Sequence, residues 1–325
     1  MQNKFDLEAK VLAKKYNFKI LKKKYTAFSL NFGDYRNAIY EIIYNNKPAI
    51  LKIYHEDRIT DEPLALKYYS KINTSKILLA PKLYKYEIIS SKKGWLIMEK
   101  INGKTLKSPL NKKGRQEFLK LFLIYRKNFP KKSYKNLNLV ENLKANEYHI
   151  YRINKWLKMA NERQAEDKLN LLKENEFISR YRKVINLINK EFKNRRMVLC
   201  HGHFKAKEIF KINDNKYYLS DFGHTKMYPE GYEFAFIIWA DYLIPGNWRL
   251  NYQEWKKGID NWIKDLDPIA KKLKIKKFST LIKTSLAERA LGTILADVRA
   301  SDKPKIEQIE RINLLYKLID DLCKK

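Results

Sequence analysis

The sequence predicts an α+β protein of two lobes, a small antiparallel-sheet N-lobe followed by a large, mainly helical C-lobe. Two patterns carry this. From Asn31 to Ile101 the apolar residues come in short runs separated by turn signals, as paired strands require. From residue 102 their spacing changes to three and four, as amphipathic helices require. One strand cluster, 197–223, interrupts the helical part as an embedded hairpin. The division read from these patterns is an N-terminal extension over 1–27, an N-lobe over 28–101 and a C-lobe over 102–325.

Taken in order, AIYEIIY (Ala38 to Tyr44), the turn Asn45-Asn46-Lys47 and PAILKIY (Pro48 to Tyr54) read as a hairpin. A helix is expected over Glu62 to Ile72, with Leu66 and Tyr69 on one face. KLYKYEII (Lys82 to Ile89) and WLIMEKI (Trp95 to Ile101) form a second hairpin, and Glu99 to Gly103 is a connector. Helices are expected over 114–127, 138–160 and 173–193. VLC (Val198 to Cys200), a polar loop, EIFKI, the turn Asn213-Asp214-Asn215 and KYYLS make the embedded strand cluster. Helices resume over Tyr232 to Leu243 and continue through 281–298 and 304–322.

Composition removes several classes of function. With 45% hydrophobic residues, 22 Tyr, 15 Phe and 6 Trp in 325 residues, general disorder is excluded. Cys200 and Cys323 are the only cysteines, which excludes a disulfide scaffold and points to a reducing compartment. The most apolar stretch, Phe234 to Ile244, contains Asp241 and is far shorter than the roughly 20 residues that span a bilayer. MQNKFDLEAKVLAKKY lacks the apolar core of a secretory signal, so a cytoplasmic protein is expected. The net charge is +32, and Lys far outnumbers Arg. Lys, Asn, Ile and Tyr share A/T-rich codons, which gives the excess a compositional explanation. The denser basic runs, Lys19 to Lys24, Lys127 to Lys135 and Lys271 to Lys277, interleave no stacking aromatics. They read as solvated helix faces or loops and support nucleic-acid binding only weakly.

Chemistry concentrates in LCHGHFKAKEIFKINDNKYYLSDFGHTKM, which holds His201, His203, Glu208, Asp221 and His224 on a strand–loop–strand–turn–strand layout. Short loops at the ends of paired strands are where catalytic groups are held in register. This region resembles the catalytic and metal-binding segment of the aminoglycoside phosphotransferase and choline kinase family, which has the protein-kinase-like fold. That family carries His-Gly-Asp, an Asn five residues after the Asp, and a hairpin ending in Asp-Phe or Asp-Trp. His201-Gly202-His203 matches the first element, Glu208 stands in the Asn position, and Asp221-Phe222-Gly223 matches the last. The resemblance extends over residues 28 to 245. FGDYRNAIYEI (Phe32 to Ile42) is similar to the family's nucleotide-covering loop, with Gly33 and Asn37 in place. ILKIY sets Lys52 as the lysine on the α- and β-phosphates, and Glu62 as its partner. WLIMEKINGKTL is similar to the hinge, with Met98, Glu99 and Ile101 lining the adenine pocket.

The resemblance implies an ATP- and Mg²⁺-dependent phosphotransferase acting on a hydroxyl of a small molecule. Positioning and charge neutralisation dominate phosphoryl transfer, so such a site wants a paired Lys, carboxylates on Mg²⁺ and a base near the acceptor. The chain departs from the family at three places. His203 replaces the base Asp, Glu208 replaces the metal-binding Asn, and Tyr232-Glu233-Phe234-Ala235 carries Glu where Asp is usual. His203 as the base predicts an activity limb near pH 6–7. The same departures open a second reading, a catalytically inactive nucleotide-binding pseudokinase or scaffold. A third is a metal-dependent hydrolase built on His201-x-His203, Asp221 and His224. Each residue also has a plain structural role open to it. Lys52 could snorkel from an apolar strand, Glu62 could be an ordinary first-turn carboxylate, and His201 and His224 could brace loops. The family's acceptor pocket lies in the helical lobe, so 138–176 and 232–265 are expected to line it. Acidic and basic residues balance over 138–176, which leaves no acidic cleft for a polycationic aminoglycoside.

Overall fold

The computed structural model describes residues 4–29, 34–129, 143–166, 170–244, 251–299 and 305–324. The N-lobe begins earlier than expected. Helix α1 (Lys4–Tyr16) leads into strand β1 (Phe18–Ser29), which pairs antiparallel with β2 (Asp34–Tyr44). Residues 4–29 are therefore part of the sheet lobe, and the reading of 1–27 as an extension outside it is corrected. Register shifts near Ile20, Lys23 and Ala27 break the period-two pattern of β1, and its lysines face solvent along the sheet edge. Edge lysines of this kind discourage pairing with other strands. Lys19 to Lys24 is thus a strand rather than a helix face or loop.

The first hairpin forms as expected. β2 and β3 (Lys47–Tyr54) pair antiparallel across Asn45 and Asn46. Their φ values of 48° and 59° give the left-handed turn that matches strand twist, a conformation Asn tolerates better than most residues. After α2 (Arg58–Ile72) and the short β4 (Leu78–Leu79), the second hairpin is β5 (Leu83–Ser90) and β6 (Lys93–Glu99). The sheet order is β1-β2-β3-β6-β5. Alternation along β3 sends Ala49, Leu51 and Ile53 into one core with Phe5 and Ala9 of α1 and Trp95 and Ile97 of β6. Tyr54 instead joins Leu96, Met98 and the apolar residues of α2. Lys52 shares that second face, which aims it toward α2.

The chain then crosses to the C-lobe through β7 (Lys104–Thr105) and α3 (Lys112–Asn128), whose first turn is capped by Asn111 accepting from the Gly114 amide at 2.8 Å. α4 (Ala145–Glu166) and α5 (Glu174–Phe192) follow. The expected helix 138–160 therefore appears from Ala145, and its start over 138–142 lies outside the described residues. Next come β8 (Met197–Cys200), β9 (Ile209–Asn213), β10 (Lys216–Leu219) and β11 (Lys226–Pro229). β9 pairs with β10 and β8 with β11, so the loops that leave β8 and β10 lie side by side. The lobe is completed by α6 (Glu233–Ile238), a π-helical turn over Trp239–Leu243, α7 (Tyr252–Lys272), α8 (Phe278–Arg299) and α9 (Lys305–Leu322). α8 is the buried axis, with Leu281, Leu286, Ala290, Leu291, Ile294 and Leu295 fully covered.

Candidate active site

From the N-lobe, β3 and α2 bring Lys52 and Glu62 together, Nζ to Oε1 at 2.6 Å, with both side chains nearly removed from solvent. Tyr54 donates its hydroxyl to the other Glu62 oxygen. Burial works against the Lys52 charge, but Glu62 and Asp221 outweigh it and raise its pKa. The lysine is thus a fixed ammonium close enough to Asp221 to feel its charge.

Asp221 follows β10 in a left-handed conformation (φ 56°, ψ 59°), a strained state for a residue with a Cβ. The next residue holds it there. Phe222 is fully buried against Tyr69 of α2 and the His201 ring, with centroids at 5.2 and 4.8 Å. A Cβ added at Gly223 would stand 3.3 Å from Glu62 Oε2, so the Asp-Phe-Gly turn packs directly beneath the lysine's partner. Burial opposes the charge on Asp221, yet His203, His224 and the Lys52 ammonium hold its carboxyl well below the usual range.

The loop after β8 carries the substituted positions. His201 is buried, its Nε2 within 2.8 Å of the Ser220 carbonyl, while its Nδ1 accepts from the His203 amide at 3.3 Å. The second contact assigns the proton to Nε2, and burial pushes the pKa down to about 3. His201 is a neutral brace with both nitrogens engaged, which removes it from the metal group expected with His203, Asp221 and His224. Its amide donates to the Tyr125 hydroxyl at 2.7 Å, and that hydroxyl donates to Glu233 at 2.6 Å. Arg126 completes the buried set, 2.9 Å from the second Glu233 oxygen. Glu233 therefore steadies the loop through Tyr125.

His203 Nδ1 lies 3.6 Å from Asp221 Oδ2, and His224 Nε2 lies 3.8 Å from the same oxygen. The two rings stack with centroids 3.3 Å apart and planes at 20°. Gly202 makes this approach possible. At φ 78° it passes the His224 carbonyl so closely that a Cβ would stand 2.0 Å from that oxygen. Burial lowers the His203 pKa to about 4, so the limb expected near pH 6–7 moves to lower pH. Glu208 is held by the Lys205 ammonium at 3.2 Å and the Ser220 hydroxyl at 3.1 Å. Burial and the charge of Asp221 raise its pKa.

The remaining expected residues are spread along the N-lobe and hinge. Asn37 lies within β2, and its carboxamide donates to Glu56 rather than standing free over the cleft. Gly33 lies outside the described residues. Met98 is buried in β6, and the Glu99 carboxylate accepts from the Lys82 amide at 3.0 Å. Ile101 is half-buried just beyond β6. His224, open in sequence to a loop-bracing role or to a metal group, comes to lie against His203. Only the pairing of β8 with β11, a contact far apart in sequence, carries it onto His203. Beside the loop, a cavity of about 120 Å³ is lined by Ser108, Lys205, Lys207, Ile237, Asp241 and Trp262, among others. It includes residues from the expected 232–265 segment. None of its lining residues comes from the described part of 138–176.

No protein-family model matches the chain, and a comparison with curated proteins finds no match. Solved structures do match over nearly the whole length. The aminoglycoside phosphotransferase APH(4)-Ia, in a ternary complex with ADP and hygromycin B, aligns with a TM-score of 0.61 at 9% identity, covering 97% of each chain. A putative aminoglycoside phosphotransferase from Ralstonia eutropha JMP134 gives 0.62 at 13%, covering 98% of each. An ethanolamine kinase from Plasmodium vivax gives 0.57 at 16%, covering 97% of this chain and 89% of that one. The fold is that of the protein-kinase-like phosphotransferases. In fold it is similar to the aminoglycoside phosphotransferase and choline kinase type, with a sheet N-lobe and a mainly helical C-lobe.

Proposed function

We propose that the protein is an ATP-dependent phosphotransferase that moves the γ-phosphate to a hydroxyl of a small molecule. The observation that carries this reading is the Lys52–Glu62 pair held against the Asp221 turn. Phosphoryl transfer is mainly a matter of positioning and charge neutralisation. Lys52 contributes a buried ammonium whose charge is sustained by Glu62, ready for the α- and β-phosphates. Met98, Glu99 and Ile101 stand where the adenine would lie. Asp221 and Glu208 interact strongly enough for Asp221 to raise the Glu208 pKa, and a divalent cation relieves such repulsion. These oxygen donors fit a phosphate-bound Mg²⁺, which would supply charge neutralisation at the transferring group.

His203 occupies the position of the base. Its Nδ1 faces the Asp221 carboxylate at 3.6 Å, whose charge favours the proton on Nδ1 and leaves Nε2 to accept the acceptor's proton. The imidazole is neutral at physiological pH and so competent to accept. The cavity beside Lys205 and Asp241 is the proposed acceptor pocket, of a size for a small alcohol. The protein is read as acting in the cytoplasm.

The test is transfer of labelled γ-phosphate to a panel of small hydroxylated compounds. Lys52→Ala and Asp221→Ala are expected to abolish it. His203→Ala is expected to lower turnover roughly 10²- to 10⁴-fold with ATP affinity little changed. Nucleotide binding without transfer to any acceptor, unchanged by His203→Ala, would favour the pseudokinase instead.

A further inference from the structure

The two histidines stacked beside Asp221 are more than a replacement base requires. His203 lies on the loop after β8 and His224 in the turn before β11, yet both present a ring nitrogen to one carboxylate oxygen. The three donor atoms all fall within 4.8 Å of one another. His203 Nδ1 is buried with no hydrogen-bond partner, since Asp221 Oδ2 at 3.6 Å is beyond hydrogen-bond reach. A buried nitrogen aimed at a carboxylate without a hydrogen bond to it leaves a lone pair that a cation between the two can engage.

We propose that His203, Asp221 and His224 form a binding site for one borderline-soft divalent cation of the zinc type, through Nδ1, Oδ2 and Nε2. The donor spacing suits one cation held between the two rings and the carboxylate. Zinc–ligand bonds of about 2.0–2.2 Å in a tetrahedron place donors about 3.4 Å apart. Octahedral Mg²⁺, with bonds of about 2.0–2.1 Å, places them about 2.9 Å apart. The separations of 3.6 and 3.8 Å lie close to the tetrahedral value. Donor chemistry agrees, because two imidazoles with one carboxylate suit zinc and its neighbours, whereas magnesium prefers oxygen. The backbone that carries the two rings is fixed in advance. Gly202 locks the His203 loop against the His224 carbonyl, and Phe222 anchors the intervening turn. A cation must lie near the plane of each ring, so the stacked rings open by rotation as it binds. Occupancy takes Nδ1 of His203 and an oxygen of Asp221. Under the phosphotransferase reading, on which this one consequence rests, the zinc-loaded and transferring forms exclude each other.

The experiment is a Co²⁺ titration of the full chain without nucleotide, read by visible d–d absorption. One equivalent is expected to give an intense tetrahedral-type band that Zn²⁺ abolishes and a large excess of Mg²⁺ leaves in place. Lys52→Ala is expected to keep the band even if it loses nucleotide, which separates failure of this site from failure of the phosphotransferase reading. His203→Ala with His224→Ala is expected to lose it, with far-UV circular dichroism reporting the fold. Should that variant not fold, imidazole ¹⁵N shifts of the parent decide: Zn²⁺ is expected to move the His203 and His224 nitrogens and leave those of His201. Absence of a band at one equivalent, its persistence in the double variant, displacement by Mg²⁺ at comparable concentration, or unmoved His203 and His224 shifts would each overturn the proposal.

Discussion

The two sides of the cleft differ in how they relate to the resemblance. On one side, Lys52 and Glu62 of the N-lobe and the Asp221 turn of the C-lobe match the pattern residue for residue and close into one buried arrangement. On the loop side, His203 and Glu208 stand in altered positions, and each has acquired new partners, Asp221 with His224 for the first and Lys205 with Ser220 for the second. Under the proposed function, phosphate holding and acceptor-side chemistry are thus separable: the residues read for the first match the pattern, and those read for the second depart from it.

The largest effect should come from cutting the support of the rebuilt side. Glu233→Ala leaves the Arg126 guanidinium buried without its carboxylate and removes the acceptor of the Tyr125 hydroxyl. It should cost about 3–5 kcal/mol in urea unfolding. A loss below 1 kcal/mol would show that the loop does not depend on this relay. Acid is the next test. His149 is fully buried beside Glu288, and burial lowers its pKa to about 4 against 6.5 when exposed. Between those values the unfolded chain binds the proton and the folded chain does not, so stability falls as pH drops from 6.5 toward 4. That one group accounts for a loss on the order of 3 kcal/mol. His149→Gln should flatten the decline in unfolding measured at pH 7 and pH 4.5, and an unchanged slope would remove His149 from the acid sensitivity.

Gly202→Ala probes the clamp between the two loops. With φ at 78° and the His224 carbonyl in the way, the variant should lose at least the roughly 1–3 kcal/mol of a strained residue. It should separate the stacked rings while leaving the Lys52–Glu62 pair alone. The smallest effect belongs to the N-lobe. Asn46→Ala in the hairpin turn should cost about 1 kcal/mol in melting experiments, with no change at the cleft.

Most of the N-lobe side could be read from the sequence because its signals are local. An alternating strand placed Lys52, a two-Asn turn set the register behind it, and a helix beginning nearby supplied Glu62. Strand β1 escaped because its bulges scramble the alternation and its lysines resemble a solvated surface. The loop side was legible only in residue types. Nothing near His224 in sequence signals that it stacks on His203, since that contact depends on β8–β11 pairing and on Gly202. The engagement of both His201 nitrogens, and the depth of burial that lowers the His203 pKa, are likewise products of packing.

The separation of the two sides is tested most directly by calorimetric titration of ATP with Mg²⁺ into three proteins: the parent, Lys52→Ala, and His203→Ala. Binding to the parent and to His203→Ala with similar affinity, and its loss in Lys52→Ala, is the expected result. Equal binding by the parent and Lys52→Ala, or no binding by the parent at all, would contradict the claim that the N-lobe side holds a nucleotide.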